Sequence, residues 1–262
     1  MPEKKEQGEP SANIIEIFAG IQGEGKYMGC RQIFVRLSGC NLRCLYCDTA
    51  HEPTLVCRVE RARGSHRFCE HPNPFSPKET MDWMDHLLSN TSDFHAVSIT
   101  GGEPLLHADF IAALAPLIHE RGMKVLLETN GTLPDKLAEV IDHIDIVSMD
   151  IKFPDDIVDE VECPNHEQFW DKNKEFIRIA KAKDLYVKII LSRHTKERDF
   201  RKALSLVAKN PEIMLILQPV TPIGRYAPPS PQSLVWWQEQ AVSLLNNDVR
   251  VIPQMHKMMG LL

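Results

Sequence analysis

Apolar residues run in short unbroken blocks at 96–100, 125–128, 144–149, 185–191 and 213–218, with longer stretches of helical patterning between them. Blocks of that length bounded by polar residues read as buried strands. The stretches at 110–120, 135–141, 167–181, 199–208 and 233–245 read as helices, and 249–252 as a last short strand. Repeated strand-then-helix order argues for a parallel sheet with crossover helices, an open or partial barrel. Ahead of it, 14–18 and 32–37 are strand-like and flank the glycine-rich turn GIQGEG, as in a hairpin. A helix at 79–88 is expected to start at Ser76-Pro77. From 50 to 78 the chain turns polar, mixed in charge and rich in His, Cys and Pro, which reads as an inserted, variable loop. No Gly/Ser/Pro-rich linker follows, so 13–262 is expected to form one domain behind a flexible, solvated tail at 1–12.

Composition narrows the class without naming a function. The chain has 262 residues, 43% of them hydrophobic and 25% charged, which is ordinary for a soluble domain with a sizeable core. A net charge of −6 gives no general attraction to nucleic acid or anionic membranes. No apolar run approaches the roughly 18 residues of a membrane span, and the N-terminus lacks an apolar signal core. Seven cysteines (30, 40, 44, 47, 57, 69, 163) at irregular spacing suit a reducing compartment with metal-bound thiolates, so a cytoplasmic location is expected.

Chemistry concentrates in CNLRCLYCDT, which spaces Cys40, Cys44 and Cys47 as C-x3-C-x2-C. Disulfides consume cysteines in pairs, and a zinc site wants four ligands. Three thiolates in one loop suit an iron–sulfur cubane whose fourth iron stays open to a substrate or cofactor. The plainer alternative is a structural zinc loop completed by His51, Cys57, His66 or Cys69. Those four with His71 also read either as an auxiliary metal site or as part of a variable loop over the active site or at a subunit contact. In parallel-sheet folds ligands gather at the carboxyl ends of strands. There the chain carries Thr100-Gly-Gly-Glu-Pro104, Glu128-Thr-Asn-Gly-Thr132, Asp150, Lys152 and Gln218.

With these features the chain resembles the radical S-adenosylmethionine (SAM) enzymes, whose partial (β/α)6 barrel carries C-x3-C-x2-C in its first βα loop. The resemblance implies an α/β fold of that kind with an N-terminal hairpin, and a 4Fe-4S cluster on Cys40, Cys44 and Cys47. It also implies SAM chelated at the open iron and cleaved to a 5′-deoxyadenosyl radical. SAM-binding candidates are Tyr46, Asp48, Gly101, Gly102, Glu103, Asn130, Ser148, Asp150, Lys152 and Gln218. The family's serine–proline–lysine segment is replaced by Ser148-Met-Asp-Ile-Lys152, which leaves open which of Ser148, Asp150 and Lys152 takes those contacts.

IQGEG followed by FVRLSGCNLRC resembles one subgroup, the 7-carboxy-7-deazaguanine synthases. These rearrange 6-carboxy-5,6,7,8-tetrahydropterin with loss of ammonia, in 7-deazapurine (queuosine-type) biosynthesis. The resemblance implies pterin contacts from Ile21, Gln22, Gly23, Glu24 and Thr100, and a substrate carboxylate on Arg36. It further implies Mg2+ at Thr49, and a tail in which His256 and the carboxylate of Leu262 reach the substrate. It points to an electron donor such as flavodoxin or ferredoxin and to a homodimer, with no nucleic-acid or membrane partner. Two alternatives stand beside it. A glycyl-radical-enzyme activase shares the cysteine loop, and a non-catalytic metal-binding protein would use that loop structurally.

Overall fold

The computed structural model describes residues 9–49, 52–88, 93–160 and 166–261. In chain order the elements are β1 (Ile14–Ile21), β2 (Arg31–Leu37), β3 (Leu42–Cys44), β4 (Val56–Glu60), β5 (Phe68–Pro72), α1 (Pro77–Leu87), β6 (Ala96–Gly101) and α2 (Ala108–Glu120). They continue as β7 (Lys124–Thr129), α3 (Pro134–Val140), β8 (Ile146–Ile151), β9 (Ile157–Glu160), α4 (His166–Ala180), β10 (Asp184–Leu191) and α5 (Glu197–Val207). The last are β11 (Met214–Pro219), α6 (Pro231–Leu244), β12 (Val249–Val251) and α7 (Met255–Met258). Ten strands form one open sheet in the order β12-β11-β10-β8-β7-β6-β2-β1-β4-β5, and β3 pairs with β9 separately. From β2 to β12 every neighbour is parallel, whereas β1 and β2 form an antiparallel hairpin. This is the expected α/β architecture, a barrel left unclosed.

Strand alternation builds two different faces. Side chains with odd numbers (Ile33, Val35, Val97, Ile99, Val125, Leu127, Val147, Met149, Val187, Ile189, Leu215 and Leu217) point to the helices and are fully buried in the main core. The opposite face starts apolar at one end, where Ala96, Leu126, Ile146, Tyr186 and Ile216 pack as a small separate cluster. One step further along each of those strands the inward residue is polar: Ser98, Glu128, Ser148, Lys188 and Gln218. The inner face thus changes from a dry plug to a polar floor within two residues, on the side of the strands' carboxyl ends.

The helix expected at Ser76-Pro77 does begin there. Ser76 Oγ accepts from the Glu79 N–H at 3.2 Å, and Glu79 Oε2 accepts from the Ser76 N–H at 2.8 Å, a reciprocal cap.

Two boundaries differ from the sequence reading. Ala12 is buried and exchanges two backbone hydrogen bonds with Phe75, so the packed chain begins inside the stretch expected to be a tail. Residues 56–72, expected to be loop, instead form the β4–β5 hairpin, which extends the sheet beside β1. Cys57 is fully buried there with Val59. The Cys69 thiol donates to the Val59 carbonyl at 3.4 Å, and the His71 ring packs 4.2 Å from that of Trp83. These groups serve packing. Among the described residues, no helix is long and apolar enough to cross a membrane.

Candidate active site

The cysteine loop is fixed from three sides. Leu45 N–H donates to Asp156 O at 2.9 Å, and β3 pairs with β9. The side chains of Asn41, Asn130 and Thr132 form a buried network, with Asn130 Nδ2 donating to Asn41 Oδ1 and Asn41 Nδ2 to Thr132 Oγ1, both at 2.9 Å. The third support is the turn after β6. Its Glu103 N–H donates to Gly39 O at 2.9 Å, and a Cβ on Gly102 would collide with that same carbonyl. The paired glycines of the GGEP turn therefore let two stretches of backbone touch.

Above the polar floor lies a cleft with two lobes, of about 250 and about 370 Å3. The first is lined by Cys40, Cys44, Cys47, Tyr46, Asp48, Gly101, Gly102, Asn130, Asp150, Lys152 and Gln218. This gathers the three cysteines with eight of the ten residues proposed for SAM. The second lobe is lined by Ile21, Gln22, Gly23, Thr100 and His256. Glu24, Arg36 and Thr49 line both, as do Asp48, Glu128, Gln254 and Lys257, and these mark the junction. Leu262 and His51 lie outside the described residues.

Two candidates are not on the cleft wall. Glu103 is fully buried behind it. Its Oε1 accepts from the Leu105 N–H (3.1 Å) and the Thr129 hydroxyl (2.8 Å), and its Oε2 from the Asn130 N–H (2.8 Å). Burial outweighs these bonds and pushes its carboxyl up to about 7. Ser148 is buried in the polar floor. Of the segment Ser148–Lys152 it is Asp150 and Lys152 that reach the cleft, joined to each other at 2.8 Å. Burial works against the charge of Lys152, but Asp150 and the neighbouring Tyr46 and Cys44 hold its pKa well above the ordinary value.

A charged lattice spans the junction. Lys188, nearly inaccessible to solvent, donates to Glu24 Oε2 at 2.7 Å and approaches Asp150 Oδ1 at 3.0 Å. Gln254 Nε2 donates to the other Glu24 oxygen at 2.7 Å. Burial alone would raise the Glu24 pKa, but Lys188 and these hydrogen bonds bring it far below the usual carboxylate range. Gln22 Nε2 donates to Glu128 Oε1 (2.9 Å) and to Gln32 Oε1 (3.2 Å), which fixes the amide in the floor. The C-terminal segment closes one wall. Met255 N–H donates to Gly23 O at 2.9 Å, Lys257 pairs with Asp48, and a Cβ on Gly23 would collide with the His256 ring. Burial lowers the His256 pKa, against the opposing pull of Glu24. Lys188 was not singled out from the sequence, and Glu128, Gln254 and Lys257 were given no role of their own there. Their only signal was a charged or amide residue in an apolar strand, or in a short tail.

The three thiols form a donor set that one cluster held by a single loop could use. All three are free and half-buried and face one lobe. Burial, with the nearby thiols adding to it, pushes Cys40 up to about 11 and Cys44 to about 12. Thiols held so high ionise by binding metal. Among the described residues no three His, Cys, Asp or Glu side chains are placed to share one metal ion. A buried acceptor, Gln218 Oε1, has no hydrogen-bond partner among the described residues and belongs to a cleft-lining side chain, which leaves it available to a polar ligand.

The comparisons agree with this geometry. Residues 34–207 match the model of the radical SAM superfamily, which implies a 4Fe-4S cluster, SAM, a small-molecule substrate and a reductant. A 7-carboxy-7-deazaguanine synthase of Geobacter sulfurreducens is 37% identical over 96% of this chain and 98% of its own. That of Methanocaldococcus jannaschii is 34% identical over 95% of this chain and 100% of its own. Among solved structures, QueE from Escherichia coli superposes with a TM-score of 0.59 at 20% identity, covering 97% of this chain and 100% of that one, a likeness of fold. The chain belongs to the radical SAM superfamily and, within it, to the 7-carboxy-7-deazaguanine synthases.

Proposed function

We propose that this enzyme converts 6-carboxy-5,6,7,8-tetrahydropterin to 7-carboxy-7-deazaguanine with release of ammonia, the substrate lying in the second lobe and SAM in the first. The observation that carries this reading is the shared junction of Glu24, Arg36 and Thr49, which brings a substrate in one lobe against SAM in the other. Cys40, Cys44 and Cys47 would hold the cluster, which with SAM supplies the initiating hydrogen-atom abstraction. Tyr46, Asp48, Gly101, Gly102, Asn130, Asp150, Lys152 and Gln218 would surround SAM. Glu103 and Ser148 would support it from behind.

Ionised Glu24, held by Lys188 and Gln254, offers an acceptor to the N–H edge of the aminopyrimidinone. The Gln22 amide is fixed beside it. Arg36 meets the substrate carboxylate, for which a planar guanidinium is suited. The neutral form of His256 can accept a proton or a hydrogen bond from the ring. Thr49, a hydroxyl at the junction, would serve as one oxygen ligand of Mg2+, with others from the substrate. A single-electron carrier such as flavodoxin or ferredoxin would supply reducing equivalents, and the chain would act as a homodimer.

The test is anaerobic turnover of the reconstituted protein with SAM, reductant, Mg2+ and 6-carboxytetrahydropterin. Formation of 7-carboxy-7-deazaguanine, lost in Cys44→Ala, is expected. Reductive SAM cleavage without that product would overturn the substrate. Turnover undiminished after chelation of Mg2+ would remove the metal.

A further inference from the structure

We propose that Arg58, on the β4–β5 hairpin, is a second anchor for the substrate carboxylate and works beside Arg36 through a shared Glu16. The inference rests on the substrate proposed above. It deepens that reading by assigning specificity to a segment outside the motifs that carry it.

The register of the sheet brings the three residues together. β1 lies between β2 and β4, and Glu16 is opposite Arg36 on one side and Arg58 on the other. All three side chains leave the same face of the sheet and line the second lobe. Glu16 is largely buried; its Oε1 accepts from Arg36 Nε at 2.9 Å, and its Oε2 lies 3.8 Å from Arg58 Nη1. Two guanidinium groups thus approach one carboxylate, with the exposed Glu70 opposite Arg58 on β5. Because Arg36 uses its Nε toward Glu16, its terminal nitrogens remain for a ligand. Arg58 is half-exposed, yet its guanidinium lies 4.3 Å from the centre of the Phe68 ring on β5, which holds it against the hairpin. The opposite side of the lobe carries Glu24 and Glu128. The lobe therefore carries the Arg36 and Arg58 guanidinium groups toward β1, β2 and β4 and the carboxylates of Glu24, paired with Lys188, and Glu128 toward the polar floor. A ligand with a carboxylate at one end and an amino-substituted ring at the other fits this arrangement with its carboxylate toward the two arginines.

Kinetics and binding on the full-length, cluster-loaded enzyme test this. Arg58→Ala is expected to raise KM for 6-carboxytetrahydropterin about 10- to 100-fold, the loss associated with one charge-assisted contact, with a much smaller change in kcat. Binding of tetrahydropterin without the carboxylate should be the same in the variant and the parent protein. Arg58→Lys, which keeps the charge but not the fork, should fall between them. An unchanged KM in Arg58→Ala overturns the proposal, and so does an equal loss of affinity for both pterins, because that would be a structural effect. If the parent protein turns over 6-carboxytetrahydropterin while Arg58→Ala matches it, only this inference fails. A parent protein that cleaves SAM but neither binds nor converts this pterin overturns the functional reading and the anchor with it.

Discussion

The cysteine loop at 40–47 and the hairpin at 56–72 both carry cysteine among charged residues, and they use it in opposite ways. In the loop three thiols turn toward a polar cleft, and burial pushes two of them, Cys40 and Cys44, up. In the hairpin Cys57 is pushed up to about 12 by burial as well, but it faces the core and meets Val59 and its neighbours. High thiol pKa is common to both. What distinguishes the loop is that several thiols share an opening, which spacing signals and pKa does not.

Substitution can break that contrast, most severely at the loop. Cys44→Ala should lose bound iron and SAM cleavage, whereas Cys57→Ala should keep both at a cost of about 1–3 kcal/mol in unfolding free energy. Equal iron loss in the two variants would end the distinction. Lys188→Met comes next. It would leave Glu24 buried without its cation while Asp150 keeps Lys152, a loss of about 3–5 kcal/mol readable by denaturant unfolding. An unshifted midpoint would mean that the charged lattice is not a source of stability.

Glu103→Gln is expected to cost about 1–3 kcal/mol, because an amide N–H2 would face the Asn130 N–H or leave an acceptor position unfilled. It also carries a pH signature. The folded pKa of Glu103, about 7, lies above its ordinary value of 4.5, so its contribution is full below about 4.5 and is lost as pH rises through 7. Relative to Glu103→Gln, the parent protein should therefore lose stability across that window, and a pH-independent difference would refute the raised pKa. Cys69→Ser should have the smallest effect, within about 1 kcal/mol and without change in iron, since it exchanges one donor to Val59 O for another.

Much of the fold was legible because strand alternation and helix caps are local. The apolar blocks at 97, 99, 125, 127, 147 and 149 announce a buried sheet, and Ser76 with Glu79 announces a helix start. The hairpin was hidden because its decisive residues are buried yet polar. Glu60 is inaccessible to solvent, with one carboxylate oxygen accepting from the Ala19 N–H and the other from the His66 N–H, both at 3.1 Å. A buried glutamate between Val59 and Arg61 looks like loop until its partners are known. Lys188 was hidden in the same way: inside an apolar strand it reads as an interruption, and only Glu24 and Asp150 explain it. The cysteine spacing and the QGE turn were legible because their chemistry is confined to a few consecutive positions. Glu16 and Arg58 were not, because only strand register brings them together.

The ties that close the cleft also bear on the order of folding. Glu24 meets Lys188 across 164 residues of sequence and Gln254 across 230. Contacts so distant form slowly, because much chain entropy must be lost before they give any return. The β1–β2 hairpin and the individual βα units can form early from neighbouring residues. The junction between the lobes must wait until the first and last strands stand in one sheet, so catalytic competence should lag behind gain of secondary structure during refolding.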